Sequence, residues 1–294
     1  MPRRTVLSIL ALASASLLIG CSAAWAQSPS PPRFSFGAAR ETSAHDTSRA
    51  ARGDAIQQIP LDRLTPQAQA RIRRIVDSPT LFRRLPTQRI ECDPEMFVFL
   101  VRHPEVMVGI WEEMGITKVK TERIGPFQLQ ANDHAGTECN IDLVYGDQHT
   151  HLYYATGHYD GPMSAVPVSG KGVFLLRSET RKSSDGRDVV VGTLDCFIQL
   201  DSLGADLLAR TLSGLIGRTA DNNFEESARF MAQISRASAQ NPRGMEDLAR
   251  RLPQVMPAIR QRFAEKAIAV YENQHRTAAL PSENRSQSRQ ALSP

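Results

Sequence analysis

The chain has 294 residues, of which 41% are hydrophobic and 22% charged, with a formal charge of +4. These are ordinary globular proportions, enough to bury a real core. Arg3 and Arg4 supply part of the charge, and the +2 that remains without them is too mild to argue for a polyanion partner.

Residues 1–26 read as an export signal. Arg3 and Arg4 form a positive start, VLSILALASASLLIG is an uncharged apolar run, and Ala24-Trp25-Ala26 fits a small-x-small cleavage site. The run is too short for a comfortable membrane span, and no stop-transfer segment follows it. Leu18-Ile19-Gly20-Cys21 overlaps this pattern and resembles the lipobox of bacterial lipoproteins, in which Cys21 would become the lipidated first residue. The other reading is cleavage after Ala26, with Cys21 lost. Either way the mature domain is expected outside the cytoplasm, as a periplasmic, secreted or lipid-anchored protein of a bacterial envelope, and nucleic acid is not an expected partner. Cys92, Cys139 and Cys196 then remain, an odd number in an oxidising compartment, and no C-x-x-C pair points to zinc or redox chemistry.

Residues 27–55, rich in Ser, Pro, Ala and Arg, read as a disordered linker, and 277–294 as a disordered tail. Between them, 56–84 reads as an N-terminal helical extension. Its helix over 61–77 is capped by Thr65, with Pro66 in the first turn and Leu64, Ala68, Ile72 and Ile75 on one face. Arg71, Arg73, Arg74, Arg83 and Arg84 give this stretch a basic character, read as a solvated face, with anionic lipid headgroups as the alternative.

Residues 85–240 carry the main domain. A first strand is expected over 87–93. Asp93 then caps a helical stretch with Pro94 in its first turn, Pro104 splits that stretch in two, and Gly115 closes it. From 118 the period changes to alternation, with strands expected over 118–124, 127–131, 138–145, 151–159, 172–179 and 189–200. Gly125-Pro126, Asn132-Asp133, Gly146-Asp147, Gly161-Pro162 and Ser184-Asp185-Gly186 separate them. Such short connections imply an antiparallel meander. Its apolar face, with Ile141, Leu143 and Tyr145 on one strand and Val190, Leu194, Cys196, Ile198 and Leu200 on the last, needs helices to cover it. The Leu-rich segment after 201 supplies one, with a kink or break expected near Gly214 and Gly217 and a restart at Asp221. A C-terminal helix within 241–276, interrupted by Pro253 and Pro257, should dock through Leu248, Leu252, Val255, Ile259, Phe263 and Ile268.

This order, α+β with an antiparallel curved sheet wrapped on a long C-terminal helix and extra flanking helices, resembles the helix-grip fold of the START-like superfamily. That superfamily includes polyketide cyclases and plant lipid-binding allergens. The likeness spans about 85–240 and is strongest where a strand ends in a polar turn, enters the Leu-rich helix and closes in NFEESARFMAQIS. The early helix, the two-proline C-terminal helix and the export signal depart from it. The resemblance implies a cavity between sheet and helix for a hydrophobic small molecule or lipid, lined by Trp111, Leu143, Tyr154, Phe174, Leu194 and Phe224. Ordinary core is the competing reading at each of those positions. It also implies that the first and last strands pair, which could bring Cys92 and Cys196 to disulfide distance.

No residue is assigned a catalytic role, and neither a metal nor a cofactor is expected. His149 and His151 share a face, with His158 further along, but a metal would need a third ligand such as Asp147 or Asp160. Glu112, Glu113, Asp142 and Asp195 are carboxylates available to a general base. Asp195 falls opposite the apolar face, where solvent or Arg177 should meet it. Ser178, Ser183 and Ser184 lie in no nucleophile elbow, and no Gly-rich phosphate loop occurs. The reading is thus an exported or membrane-tethered, monomeric binding protein for a lipid or other hydrophobic molecule. A structural envelope protein with a filled core, or a cyclase-like enzyme on the same scaffold, is the alternative.

Overall fold

Proline sets most helix starts. The computed structural model describes residues 44–161, 167–201, 205–252 and 254–279, those at 205–217 and 277–279 by backbone alone. Its helices are α1 (Arg49–Gln57), α2 (Pro66–Val76), α3 (Pro94–Arg102), α4 (Pro104–Glu113), α5 (Ala205–Gln240), α6 (Pro242–Arg250) and α7 (Pro257–Ala279). Five of these begin at proline, which has no N–H to leave unpaired and a φ already helical. Side-chain oxygens of Ser48, Thr65, Asp93 and Asn241 accept the next free N–H groups at α1, α2, α3 and α6. The chain breaks between α3 and α4 at His103, and Gly115, at φ +70°, closes α4.

Of eight antiparallel strands, the six from 118 onward follow one another as anticipated. The eight are β1 (Leu81–Arg84), β2 (Gln88–Ile90), β3 (Lys120–Gly125), β4 (Gln128–Asn132), β5 (Thr137–Gly146), β6 (Thr150–Tyr159), β7 (Val168–Lys182) and β8 (Asp188–Leu200). They form one sheet in the order β1-β8-β7-β6-β5-β4-β3, with β2 also on β8. The first and last strands therefore pair, and α3 and α4 lie between them in sequence. This is the helix-grip arrangement, an α+β fold closed by the long C-terminal helix α5.

The sheet is covered on both faces. On the inner face, Leu129, Ile141, Tyr153, Phe174, Leu176, Val190 and Leu194 share a core with α3 to α7. On the outer face, Phe82, Leu152, Tyr154, Val173, Leu175 and Phe197 pack under α1 and α2, where Ala55, Ile72 and Val76 are fully buried. Two successive side chains of a strand point to opposite faces, so Tyr153 belongs to one core and Tyr154 to the other.

Several expectations are corrected here. The linker ends earlier than residue 55: Arg49 onward is helix α1, whose inward residues Ala51 and Ala55 are too small to mark an apolar period. Residues 81–84 form a strand, so Arg83 and Arg84 are not a solvated patch; both are drawn into ion pairs. Helix α5 runs unbroken through Gly214 and Gly217, so a glycine cost of about 1 kcal/mol at each does not end it. Tyr145 leaves the face of Ile141 and Leu143 because a bulge between Leu143 and Tyr145 shifts the register and turns it outward. The segment 1–43, with the proposed signal and Cys21, and the tail from 280 lie outside the described residues.

Helices α6 and α7 and the loop between them dock through Leu248, Leu252, Val255, Ile259 and Phe263 as anticipated, but Ala267 and Val270 enter the core in place of Ile268. Leu252 and Phe263 are fully buried, and Phe263 stacks on Phe99 of α3 with centroids 6.0 Å apart. The loop between them also guards the sheet edge, where Gln254 accepts the Thr121 N–H of β3 at 2.8 Å. Among the described residues, no helix is long and apolar enough to cross a membrane.

Candidate functional site

The inner face is built in rows that the strand register dictates. One row runs Leu143, Tyr153, Phe174 and Cys196 across β5 to β8. Toward the other end of the sheet the side chains shrink. The next row holds Leu129, Ile141, Ala155, Gly172 and Ile198, and the one after it Ala131, Cys139, Gly157, Gly170 and Leu200, so the small residues lie on the middle strands. A Cβ built on Gly157 would meet only its own sheet neighbours, at 3.8 and 3.9 Å. Among the described residues, therefore, no helix lies in contact above this position. Gly172 differs, because the ring of Phe174 folds over it, 2.5 Å from where a Cβ would sit.

Of the six expected lining residues, five gather on this face. Phe174, Leu194, Trp111 and Phe224 are buried in the inner core, and Leu143 packs against it half-buried. Trp111 lies against Phe230 of α5, with ring centroids 5.1 Å apart. Tyr154 does not join them. It faces outward, with Arg71 stacked 4.1 Å above its ring. A run such as Leu152-Tyr153-Tyr154-Ala155 is apolar on both faces, which hides the facing of any one member. One further polar group comes from α5, where the buried Asn223 Nδ2 has no hydrogen-bond partner.

A second constellation lies at the α3–α4 junction, and sequence reasoning did not find it. Glu105 is almost fully buried and receives both arms of Arg123, at 2.7 and 2.8 Å. His103 Nδ1 lies 3.3 Å from the same carboxylate. Burial pushes the Glu105 carboxyl up, but the hydrogen bonds from His103 and Arg123 outweigh it and hold the group below its ordinary value. Beside it, Arg102 Nε donates to His151 Nε2 at 3.2 Å, and burial together with the Arg102 charge pushes His151 down to about 4. The buried Tyr153 hydroxyl donates to the Val101 carbonyl at 2.7 Å. An ionised Glu105 and a neutral His151 fix the turn between two helices; each is committed to a neighbour rather than facing open space.

The remaining carboxylates are also engaged. Asp195, fully buried on the outer face, accepts from Arg84 at 2.6 Å and from the expected Arg177 at 2.8 Å. Asp142 pairs with Arg71, Glu112 with Lys120, and Glu113 with Arg251. His158 Nδ1 lies 3.0 Å from Ser169 Oγ on the exposed outer face. Among the described residues, no group of three His, Cys, Asp or Glu side chains is placed to hold a metal.

The expected Cys92–Cys196 bridge is corrected by the register. Ile90 pairs with Val190, so Cys92 lies beyond one end of the pairing and Cys196 about eight residues away along β8. At about 3.3 Å per residue this is roughly 25 Å, far beyond the ~7 Å a disulfide can span. Cys92, Cys139 and Cys196 are all buried free thiols. Burial pushes Cys92 and Cys139 up to about 12 and raises Cys196 as well.

No family model matches the chain, and no curated protein matches it. Among solved structures it is similar to Ara h 8.0201, at 11% identity and a TM-score of 0.25, over 46% of this chain and 92% of that one. It is also similar to the di-domain ARO/CYC BexL from the BE-7585A biosynthetic pathway, at 14% identity and a TM-score of 0.26, over 60% of this chain and 58% of that one. Scores this low carry no argument about function.

Proposed function

We propose that this protein is an exported or membrane-tethered binding module that holds a lipid or other hydrophobic small molecule between the inner face of its sheet and helix α5. The observation that carries the reading is the graded inner face. Large side chains, Trp111, Phe174 and Phe224, fill one end, while the small residues Ala131, Cys139, Ala155 and Gly157 floor the other, which suits an apolar ligand held under the helix. Apolar concavities of this kind are common ligand sites. The element order supports assignment to the START-like superfamily, and the pattern of residues 1–26 supports export, with Cys21 as the site of lipidation where the lipobox is used.

The test is native purification after export, followed by mass spectrometry of an organic extract and uptake of a fluorescent apolar probe. A recurrent hydrophobic molecule in near-stoichiometric amount is expected. Gly157→Leu should abolish probe uptake without loss of the fold, because its side chain would occupy the open floor. A clean extract with no uptake would instead establish a filled core and a structural role. The mature N-terminus, read from the same sample, separates acylated Cys21 from cleavage after Ala26.

A further inference from the structure

Away from the small-residue floor, a cleft of about 330 Å³ opens between α3, the β5–β6 turn, the ends of β7 and β8, and α7. None of the five inner-face residues named above lines it, and one wall is α7, which the helix-grip order does not include.

Its charge is one-sided. Arg102, Arg262 and Lys266 line it, against a single carboxylate, Glu95, which Lys266 already engages. Arg102 spends two of its N–H groups on neutral acceptors, His151 Nε2 at 3.2 Å and the Asp147 carbonyl at 3.0 Å. Arg262 is exposed and makes no ion pair among the described residues. Two guanidinium groups without a carboxylate partner therefore border one concavity, beside the apolar side chains of Pro94 and Val98.

The second observation is an unmet donor. Because Arg102 donates to His151 Nε2, the ring proton of neutral His151 must sit on Nδ1. That Nδ1 is fully buried and has no partner. The Cδ2 edge of the ring faces Gly146, 3.1 Å from where a Cβ would lie, so the Nδ1 edge turns the other way, toward β7. There His151 pairs with Leu176, and the next residue on the same face, Ser178, lines the cleft. A buried N–H left unpaired is costly, and this one stands behind the residues that line the cleft, beside Arg102 and Ser178, so it marks the polar wall of the cleft without opening into it.

We propose that this cleft binds an oxyanion group, phosphate or carboxylate, carried by a small organic molecule or by a lipid headgroup. The guanidinium forks of Arg102 and Arg262 supply paired charge-assisted donors of the geometry that such groups accept. Pro94 and Val98 receive the adjoining carbon skeleton. The site is independent of the apolar floor under α5.

Amide correlation spectra of the exported chain would be recorded against inorganic phosphate, octanoate, and vesicles of phosphatidylglycerol or of phosphatidylcholine. Signals of Arg102, His149 and Arg262 should shift with phosphate or octanoate. Arg262→Ala should weaken that binding roughly tenfold, the scale of losing one paired charge contact, and Arg262→Lys should restore part of it. Gly157→Leu should leave it unchanged. Binding to phosphatidylglycerol vesicles alone, lost in Arg262→Ala, identifies a headgroup as the source, whereas saturation by a dissolved anion identifies a free ligand. An unchanged denaturation midpoint for Arg262→Ala confirms that the variant is folded. The proposal is overturned by the absence of shifts in every arm, by shifts that Arg262→Ala does not weaken, or by shifts that Gly157→Leu abolishes.

Discussion

Arg83 of β1 and Asp221 of α5, 138 residues apart, meet as a bidentate ion pair, with Nε to Oδ1 at 2.9 Å and Nη2 to Oδ2 at 2.5 Å. The next residue, Arg84, points to the opposite face and engages Asp195 and, at 2.7 Å, Asp54 of α1. Alternation along a strand thus lets two adjacent arginines tie β1 to both covering layers. Removing one partner of a buried pair leaves the other charge stranded. Asp221 retains 16% of its exposure, so the full penalty is discounted. Asp221→Ala should destabilise the fold by about 2–3 kcal/mol in urea unfolding. Arg73→Ala, at an exposed position of α2, should stay within ~0.5 kcal/mol.

Stability should fall with acid in two stages. His151 is held at about 4 in the folded chain against 6.5 for the free group, so between those values the unfolded chain binds the extra proton. Its contribution is complete above pH 6.5 and is lost as the pH falls toward 4. A shift of that size corresponds to about 3 kcal/mol. Glu105, held below 4.5, adds a further loss at lower pH, as its carboxylate is protonated. Chemical denaturation at pH 7 and pH 4.5 measures the first stage. His151→Gln should flatten it while leaving the drop below pH 4.5 in place; an equal slope in the variant would assign the first stage to other groups.

The strands and helix starts were legible because prolines, caps and alternation act locally. Asp93-Pro94, Pro104 and Gly115 place α3 and α4 with little help from the rest of the chain. What stayed hidden depends on partners distant in sequence. Arg83 and Arg84 look like a surface patch until Asp221, Asp195 and Asp54 are brought to them. The outer layer left a signal that could have been read. Leu152 to Ala155 and Val173 to Leu176 are continuous apolar runs, which require cover on both faces, and α1 and α2 are that cover. For the candidate site, register decided what spacing could not. It parts Tyr154 from Phe174 and carries Cys92 away from Cys196.

The thiol state follows from that register. Cys92, Cys139 and Cys196 should all titrate as free thiols once the mature chain is unfolded, even after export into an oxidising compartment. In the folded protein they should react with a thiol reagent slowly, limited by opening of the structure, because burial opposes thiolate formation. Intact mass after alkylation in denaturant reads the count directly. A chain with one disulfide would accept only a single label, and a Cys92–Cys196 bridge would require a different pairing of β2 with β8.

Gly109 of α4 tests how tightly the C-terminal helices are seated. A Cβ there would lie 3.2 Å from Val255 Cγ2 and 3.5 Å from Leu252 Cδ2. Gly109→Ala gains about 1 kcal/mol of helix propensity, and the contact asks those side chains to give by a few tenths of an ångström. The two effects should nearly cancel. Gly109→Leu cannot be accommodated in the same way, and overpacking of this kind costs about 1–3 kcal/mol. The strain falls on the α6–α7 loop, so limited proteolysis should release the C-terminal helices from the leucine variant before the sheet domain is cut. Since α7 carries Arg262 and Lys266, the same variant should lose phosphate or octanoate binding while keeping apolar-probe uptake under α5. Coincident loss of both would mean that the two sites are not independent.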